Sequence, residues 1–203
     1  MIDFTPQQLV LRLCALAFIA AVHGMTVAAA AVAMGDAGPR HDRRLRLNPL
    51  VHMDILGSIS GVLFSCGWIR PIAIDPAQLR PGRLGLALAV VAGAAATMLG
   101  ALALRLARPS ILPLLPDTAS SVVFALIEIT GQLSLWFALI NLLPIPPLTG
   151  AHLLTAALPR QRDLVQRLHI PGAIVLTILA ATGLLTGALA PLYRSLAERI
   201  LAE

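Results

Sequence analysis

The sequence predicts an all-α integral membrane protein with about four to five transmembrane helices. Of its 203 residues, 58% are hydrophobic and only 12% are charged, and the mean hydropathy is +0.84. A soluble domain of this length cannot bury so much apolar surface, so the excess must face lipid. Several apolar runs also reach the roughly 20 residues that a helix needs to cross a bilayer.

The three longest apolar runs, 13–34, 84–104 and 120–143, each predict a membrane-spanning helix. The first run is longer than the core of a signal peptide, so we expect it to be retained as a membrane helix. A fourth run, 170–189, carries Pro171 in its first turn, where the missing N–H is harmless. It is therefore also expected to cross the membrane.

Two further segments are less regular. The segment 50–69 is predicted to be re-entrant or a short span, because its apolar part is brief and interrupted by Gly57, Gly61 and Gly67. Residues 151–168 mix apolar side chains with arginine and aspartate, which predicts an amphipathic helix lying along the membrane interface. No repeat or linker divides the chain, so residues 1–203 are expected to form a single membrane domain.

The net charge of +5 comes from arginine, since the chain contains 15 basic residues and no lysine. The arginines lie between apolar runs rather than on one face, which argues against nucleic-acid binding. If 50–69 is re-entrant, the loops 35–49, 70–83 and 144–169 share one side of the membrane and hold ten of the 15 arginines. The excess of positive charge then predicts that this side is cytoplasmic.

Four segments carry motifs in a fixed order and spacing. They are HGMTV at 23–27 with GD at 35–36, LNPLVHMDILG at 47–57, GWIRP at 67–71 with DP at 75–76, and NLLPIPPLTG at 141–150. Together they resemble the site-2 protease family of intramembrane zinc metallopeptidases, in its compact bacterial branch without a PDZ domain. The resemblance implies a site-2-protease-like core at about 13–150, a C-terminal part at 151–203, and a multi-pass protein of the bacterial cytoplasmic membrane.

The resemblance also shows where the family's chemistry is altered. In the family, two histidines of HExxH and the aspartate of PPLDG bind zinc, and the glutamate activates water. This chain keeps the first histidine as His23, but Gly24 replaces the glutamate and Val27 the second histidine. Thr149 replaces the aspartate, and Thr97 an auxiliary asparagine. We therefore expect no catalytic residue, no bound metal and no cofactor, and the protein is predicted not to be an enzyme.

Two histidines keep other interpretations open. His23 is expected to be a neutral imidazole that is hydrogen-bonded to a neighbouring helix, through Thr97 or Thr149, or else the remnant of a metal site. His152 lies three positions after Thr149 and is a weak candidate for restoring a zinc ligand.

Other polar and irregular residues are candidates for contacts with partner proteins. Glu128 and Gln132 form a polar stripe in the run 120–143, for which partner contact or internal pairing ranks above transport. The proline-rich segment after Asn141 cannot be regular helix, and it could form a groove for an extended peptide or a partner's helix. The groove candidates in this segment are Asn141, Pro144, Pro146 and Pro147.

The favoured functional hypothesis is a pseudoprotease that binds transmembrane segments of partner proteins as a scaffold, assembly factor or accessory subunit. The alternative is an active intramembrane zinc metalloprotease with rearranged ligands, which would need zinc. A weaker alternative is a transport component that uses Glu128.

Overall fold

The computed structural model describes residues 4–200, with Gln161 described by its backbone alone, and no strand is formed within this range. Three helices are long and apolar enough to cross a membrane: α1 (Pro6–Ala33), α4 (Arg83–Ile111, extended to Leu114 by a 3-10 turn) and α5 (Asp117–Asn141). They correspond to the three longest apolar runs and pack against one another. The prediction of an all-α membrane protein is confirmed.

Small residues bring α1 and α4 close together. Ala28 and Ala31 of α1 and Ala89 of α4 are completely buried in the main apolar cluster. At Gly93 of α4 a side chain would collide with Val27 of α1. Small residues of this kind allow close packing of helices in a membrane, where dispersion rather than water exclusion holds the helices together.

The short helix α3 (Ile55–Phe64) follows the four-residue helix α2 (Gly38–His41) and a 3-10 turn at Pro49–Val51. Asp54 caps α3, since its carboxylate accepts a hydrogen bond from Gly57 N at 2.8 Å. Ten residues of helix extend about 15 Å, half of the hydrocarbon thickness. The segment therefore does not span as a helix, which favours the re-entrant alternative over a short span.

The irregular stretch between α3 and α4 runs alongside the loop that connects α1 to α3. Met53 and Ile69 form an isolated antiparallel bridge. The guanidinium of Arg44 donates to the carbonyls of Val51 and Pro71. The buried carboxylate of Asp36 accepts from Gly38 N and from Asp75 N, each at 2.8 Å. These bonds fix the course of residues 69–76 beside α1.

The predicted amphipathic helix at 151–168 is wrong as a single element. The structure has α6 (Ala151–Ala157), a 3-10 turn at Pro159–Gln161 and α7 (Arg162–Arg167). Pro159 explains the break, because a proline disfavours helical backbone in the residue before it and cannot donate within a helix. At Leu158 the backbone has accordingly left the helical region, with φ −124° and ψ 72°.

The predicted single run at 170–189 is also corrected. Two helices, α8 (His169–Ala181) and α9 (Leu184–Ile200), meet at an angle of 71°. Gly183 lies at the bend with φ +73°, a conformation that glycine adopts without steric cost. Within the described residues, the number of possible spans is three, or four if the bent pair counts as one.

Candidate functional site

His23 lies at the centre of the packed helices and is completely buried. Its Nδ1 atom is 3.2 Å from Oγ1 of Thr97 on α4, and its Nε2 atom is 3.1 Å from Oγ1 of Thr149. The edge-to-face contact with Phe137 of α5 places the ring centroids 5.1 Å apart. The expectation of a histidine bonded to neighbouring elements is confirmed, and both threonines take part.

The hydrogen bonds around His23 define its tautomer. The hydroxyl of Thr97 donates to the carbonyl of Gly93 at 2.9 Å, so its oxygen is left to accept from Nδ1–H of His23. Nε2 is then the unprotonated nitrogen and faces the hydroxyl of Thr149, whose single proton is shared between this nitrogen at 3.1 Å and Oδ1 of Asn141 at 3.4 Å. The chain of bonds from Gly93 to Thr149 thus uses both ring nitrogens of a neutral imidazole.

A second histidine fills the space next to Gly24. A side-chain carbon at position 24 would overlap the ring of His52, which is itself completely buried. Nε2–H of His52 donates to the carbonyl of Arg46 at 2.8 Å, while its Nδ1 has no partner within residues 4–200. Burial lowers the pKa of His52. The space next to Gly24 is therefore filled by an imidazole from the segment 47–57, a contact that the sequence did not signal.

A cavity of about 380 Å³ opens beside this centre, and we call it the groove. Its two apolar walls come from the irregular stretch after α3 and from the proline-rich loop after α5. The rest of the lining is mostly polar. The apolar lining includes Ile69, Pro71, Ile72, Ala73, Ile74, Pro146, Pro147 and Leu148, and the polar lining includes Thr149, His152, Thr155, Arg162, Gln166 and His169. Thr149 thus links the groove to His23.

Asn141 positions the loop that carries Thr149. Its Nδ2 donates to Gly67 O at 2.9 Å and to Phe137 O at 3.0 Å, and its Oδ1 lies 3.4 Å from both N and Oγ1 of Thr149. The amide is completely buried and does not line the groove. Among the predicted groove residues, Pro146 and Pro147 line it, whereas Pro144 is exposed outside it.

His152 lies in the groove wall at the start of α6. Burial lowers its pKa to about 4, although a backbone hydrogen bond with Ile72 acts in the opposite direction. The side chain of His152 therefore contacts Ile72 in the irregular stretch of the groove wall. Among the described residues, His152 belongs to no group of three side chains that could hold a metal, so a restored zinc ligand stays a prediction.

Glu128 and Gln132 lie away from the groove, in a second cavity of about 360 Å³ between α4, α5 and α9. Glu128 pairs with Arg108 at 2.9 Å and with Arg105 at 3.9 Å, both on α4. The ranking of internal pairing above transport agrees with these contacts, and contact of Glu128 and Gln132 with a partner protein stays a prediction. The pairing ties α4 to α5 near the end where the two helices connect.

Comparison with known proteins adds one similarity. The chain is 29% identical over 185 residues to a protein of Bacillus subtilis (strain 168) named "Putative zinc metalloprotease YwhC". The match covers 89% of this chain and 84% of the relative. No protein-family model matches the chain, and no solved structure matches it. The protein is thus similar, over most of its length, to a bacterial protein that is named as a zinc metalloprotease.

This similarity corrects one expectation. The altered motifs predicted that the protein is not an enzyme, whereas the relative's name describes a protease, so that prediction is contradicted. The donor atoms nevertheless do not fit a catalytic zinc ion, which takes about three protein ligands and an open position. Both nitrogens of His23 contact threonines. Among the described residues, no three His, Cys, Asp or Glu side chains are grouped to hold a metal.

Proposed function

We propose that this chain is a site-2-protease-like protein of the bacterial cytoplasmic membrane that binds an extended segment of another membrane protein in the groove. The observation that carries the proposal is the non-helical wall at residues 69–76, which runs along an apolar cavity that is also lined by Thr149, the hydrogen-bond partner of His23. The similarity to a bacterial metalloprotease supports a site that accepts a polypeptide.

The backbone of this wall suits pairing with an extended chain. Within the described residues, the amides of Ala73 and Ile74 make no hydrogen bond, and Ala73 is exposed in the groove. An added strand gains affinity from such main-chain groups and specificity from the pockets for alternate side chains. Pro146 and Pro147 opposite have no N–H to offer. A bound segment therefore pairs with one wall and makes apolar contacts with the other.

The arginine distribution supports a groove on the cytoplasmic side. Residues 70–83 and 144–169, which contribute both walls, hold six of the 15 arginines in short loops and helices. Short loops rich in arginine remain on the cytoplasmic side of bacterial membranes. We therefore propose that the bound segment is the cytoplasmic end of a partner's transmembrane helix, after that end has unfolded.

The test is binding of labelled single-pass peptides to the purified full chain in nanodiscs. Ala73→Trp fills the groove, and Ala77→Trp is the matched control, because Ala77 is exposed in the same stretch but does not line the cavity. We expect saturable binding that Ala73→Trp abolishes and Ala77→Trp preserves. Binding that is equally strong in both variants, or no binding to the unaltered chain, would overturn the proposal.

A second candidate function is cleavage of the bound segment without a metal ion. Thr149 lines the groove, and its Oγ1 lies within hydrogen-bond distance of Nε2 of His23, whose other nitrogen is oriented by Thr97. A nucleophile, a base and an orienting group in this relation can support acyl transfer. The similarity to a named protease favours it as well.

In this reaction Thr149 Oγ1 attacks a peptide carbonyl carbon, and His23 takes the hydroxyl proton and passes it to the departing amine. Water, deprotonated by His23, then releases the acyl group from Thr149.

We expect peptide cleavage that survives chelation, continues in Thr149→Ser and stops in Thr149→Val. Cleavage that requires added zinc, or that persists in Thr149→Val, would exclude this route. A peptide that binds but stays intact would limit the function to binding.

A further inference from the structure

We infer that the segment bound in the groove carries a carboxylate, which is held by three polar lining residues, Arg162, Gln166 and His169. This inference rests on the proposed function, since it specifies the segment that the same groove accepts. It follows from one nitrogen without a partner, one guanidinium with spare donors, and the charge of the groove lining.

The nitrogen without a partner is Nε2 of His169, at the first position of α8. The atom is buried and makes no hydrogen bond to any described residue, and His169 lines the groove. A buried polar atom left unsatisfied costs about 1–3 kcal/mol. A ligand oxygen in the groove would accept from Nε2–H and remove that cost.

The guanidinium is that of Arg162, which also lines the groove, seven residues before His169. Its ion pair with Asp75 is long, at 3.8 Å, and both side chains are about two-fifths exposed, at 42% and 39%. Such a pair contributes little. Arg162 therefore keeps most of its five N–H donors for a ligand.

Asp75 does not depend on this arginine. Its carboxylate accepts from Ala77 N at 3.1 Å and from Nε2 of Gln78 at 3.2 Å, and these two bonds are the main cause that lowers its pKa. Arg162 can thus turn towards the groove without leaving Asp75 unsatisfied. A carboxylate in the groove would offer the two oxygens that a guanidinium binds best.

The charge of the lining points to an anionic group. Among the lining residues that the structure describes, Arg162 alone carries a formal charge at neutral pH, and no acidic side chain lines the cavity. The apolar walls at Ile72 and Pro146 favour a peptide chain over a free ion at this place. The carboxylate can belong to an aspartate or glutamate side chain or to a C-terminus.

The test uses one single-pass peptide in three forms with the full chain in nanodiscs of zwitterionic lipid. The first form has Asp in the segment that enters the groove, the second has Asn there, and the third has Asn and a free C-terminal carboxylate at that point. We expect Asp→Asn to weaken binding about tenfold, as the loss of a hydrogen bond to a charged group does. Recovery in the third form would identify a C-terminus as the source.

Arg162→Gln should remove this discrimination while the Asn peptide binds unchanged. Arg160→Gln is the matched control, because Arg160 is exposed two residues away and does not line the groove. Equal binding of the Asp and Asn peptides to the unaltered chain overturns this inference and leaves the proposed function in place. Discrimination that anionic lipid abolishes assigns the site to lipid and also overturns it. Failure of all three peptides to bind overturns the proposed function and this inference with it.

Discussion

Nε2 of His23 lies 3.1 Å from Oγ1 of Thr149, although the two residues are 126 positions apart in the chain. The contact joins the middle of a membrane helix to the loop that lines the groove. Because Thr97 already occupies Nδ1, Thr149 is the partner that satisfies the second nitrogen of a completely buried ring. The groove wall and the helix core are thus coupled through one imidazole.

Replacing Thr149 by valine should destabilise the protein. Valine keeps the shape of threonine but leaves Nε2 of His23 without a partner, which costs about 1–3 kcal/mol in the free energy of unfolding. We expect a lower midpoint of thermal unfolding in detergent for Thr149→Val, measured by circular dichroism. Thr149→Ser is the control, because it retains the hydroxyl, and it should lie close to the unaltered protein. A valine variant as stable as the serine variant would show that the contact contributes nothing.

The helices and the His23 cluster could be predicted because each depends on a local or motif-level signal. Apolar runs predict which segments form long helices, and the motif resemblance marks Thr97 and Thr149 as the positions that could contact His23, as they do. The contact of His52 with Gly24 could not be predicted, since it depends on the path of a loop with no regular structure. The bend at Gly183 was also missed, because hydropathy does not distinguish a straight apolar helix from a broken one. The polar part of the groove lining includes Arg162 and His169, which no motif marks.

Adding a methyl group at position 24 should strain the packing against His52. A carbon there would overlap the imidazole ring, so either the ring or α1 must move. Overpacking of this kind costs about 1–3 kcal/mol. We expect Gly24→Ala to lower the unfolding midpoint even though alanine favours helix more than glycine does.

A double-mutant cycle separates this strain from other effects. His52→Ala removes the ring, so Gly24→Ala in that background should be neutral or stabilising through helix propensity. Gly100→Ala on α4 is a comparison substitution, because its nearest contact is the far end of the Phe18 side chain at 3.3 Å. Equal costs of Gly24→Ala with and without His52 would contradict the steric explanation.

Loss of the carboxylate of Glu128 should loosen the contact between α4 and α5. Arg105 and Arg108 would both lose their pairing with it, and their side chains are only 16% and 21% exposed. The cost of Glu128→Gln should lie between the ~1 kcal/mol of a surface pair and the 3–5 kcal/mol of a buried one. Asp163→Asn, an exposed residue with the same change of charge, is the control in thermal unfolding. Ion flux through liposomes that disappears in Glu128→Gln without loss of stability would instead support transport.

Stability should fall as the pH is lowered through the range set by His152. Burial lowers the pKa of this side chain from about 6.5 to about 4 in the folded protein. Between these values the unfolded chain binds a proton that the folded protein does not, so the free energy of unfolding decreases as the pH falls. The contribution is fully present above pH ~6.5 and lost by pH ~4, and it amounts to at most about 3 kcal/mol.

His152→Gln isolates this contribution, because glutamine occupies the groove wall without titrating. We expect the unfolding midpoint of the unaltered protein to drop more steeply between pH 7 and 4 than that of the variant. His52, whose pKa is also lowered by burial, contributes to the remaining slope in both proteins. The difference between the two curves therefore reports His152 alone. Parallel curves over this range would mean that His152 is as easily protonated in the folded protein as in the unfolded chain, and that the groove wall is open to water there.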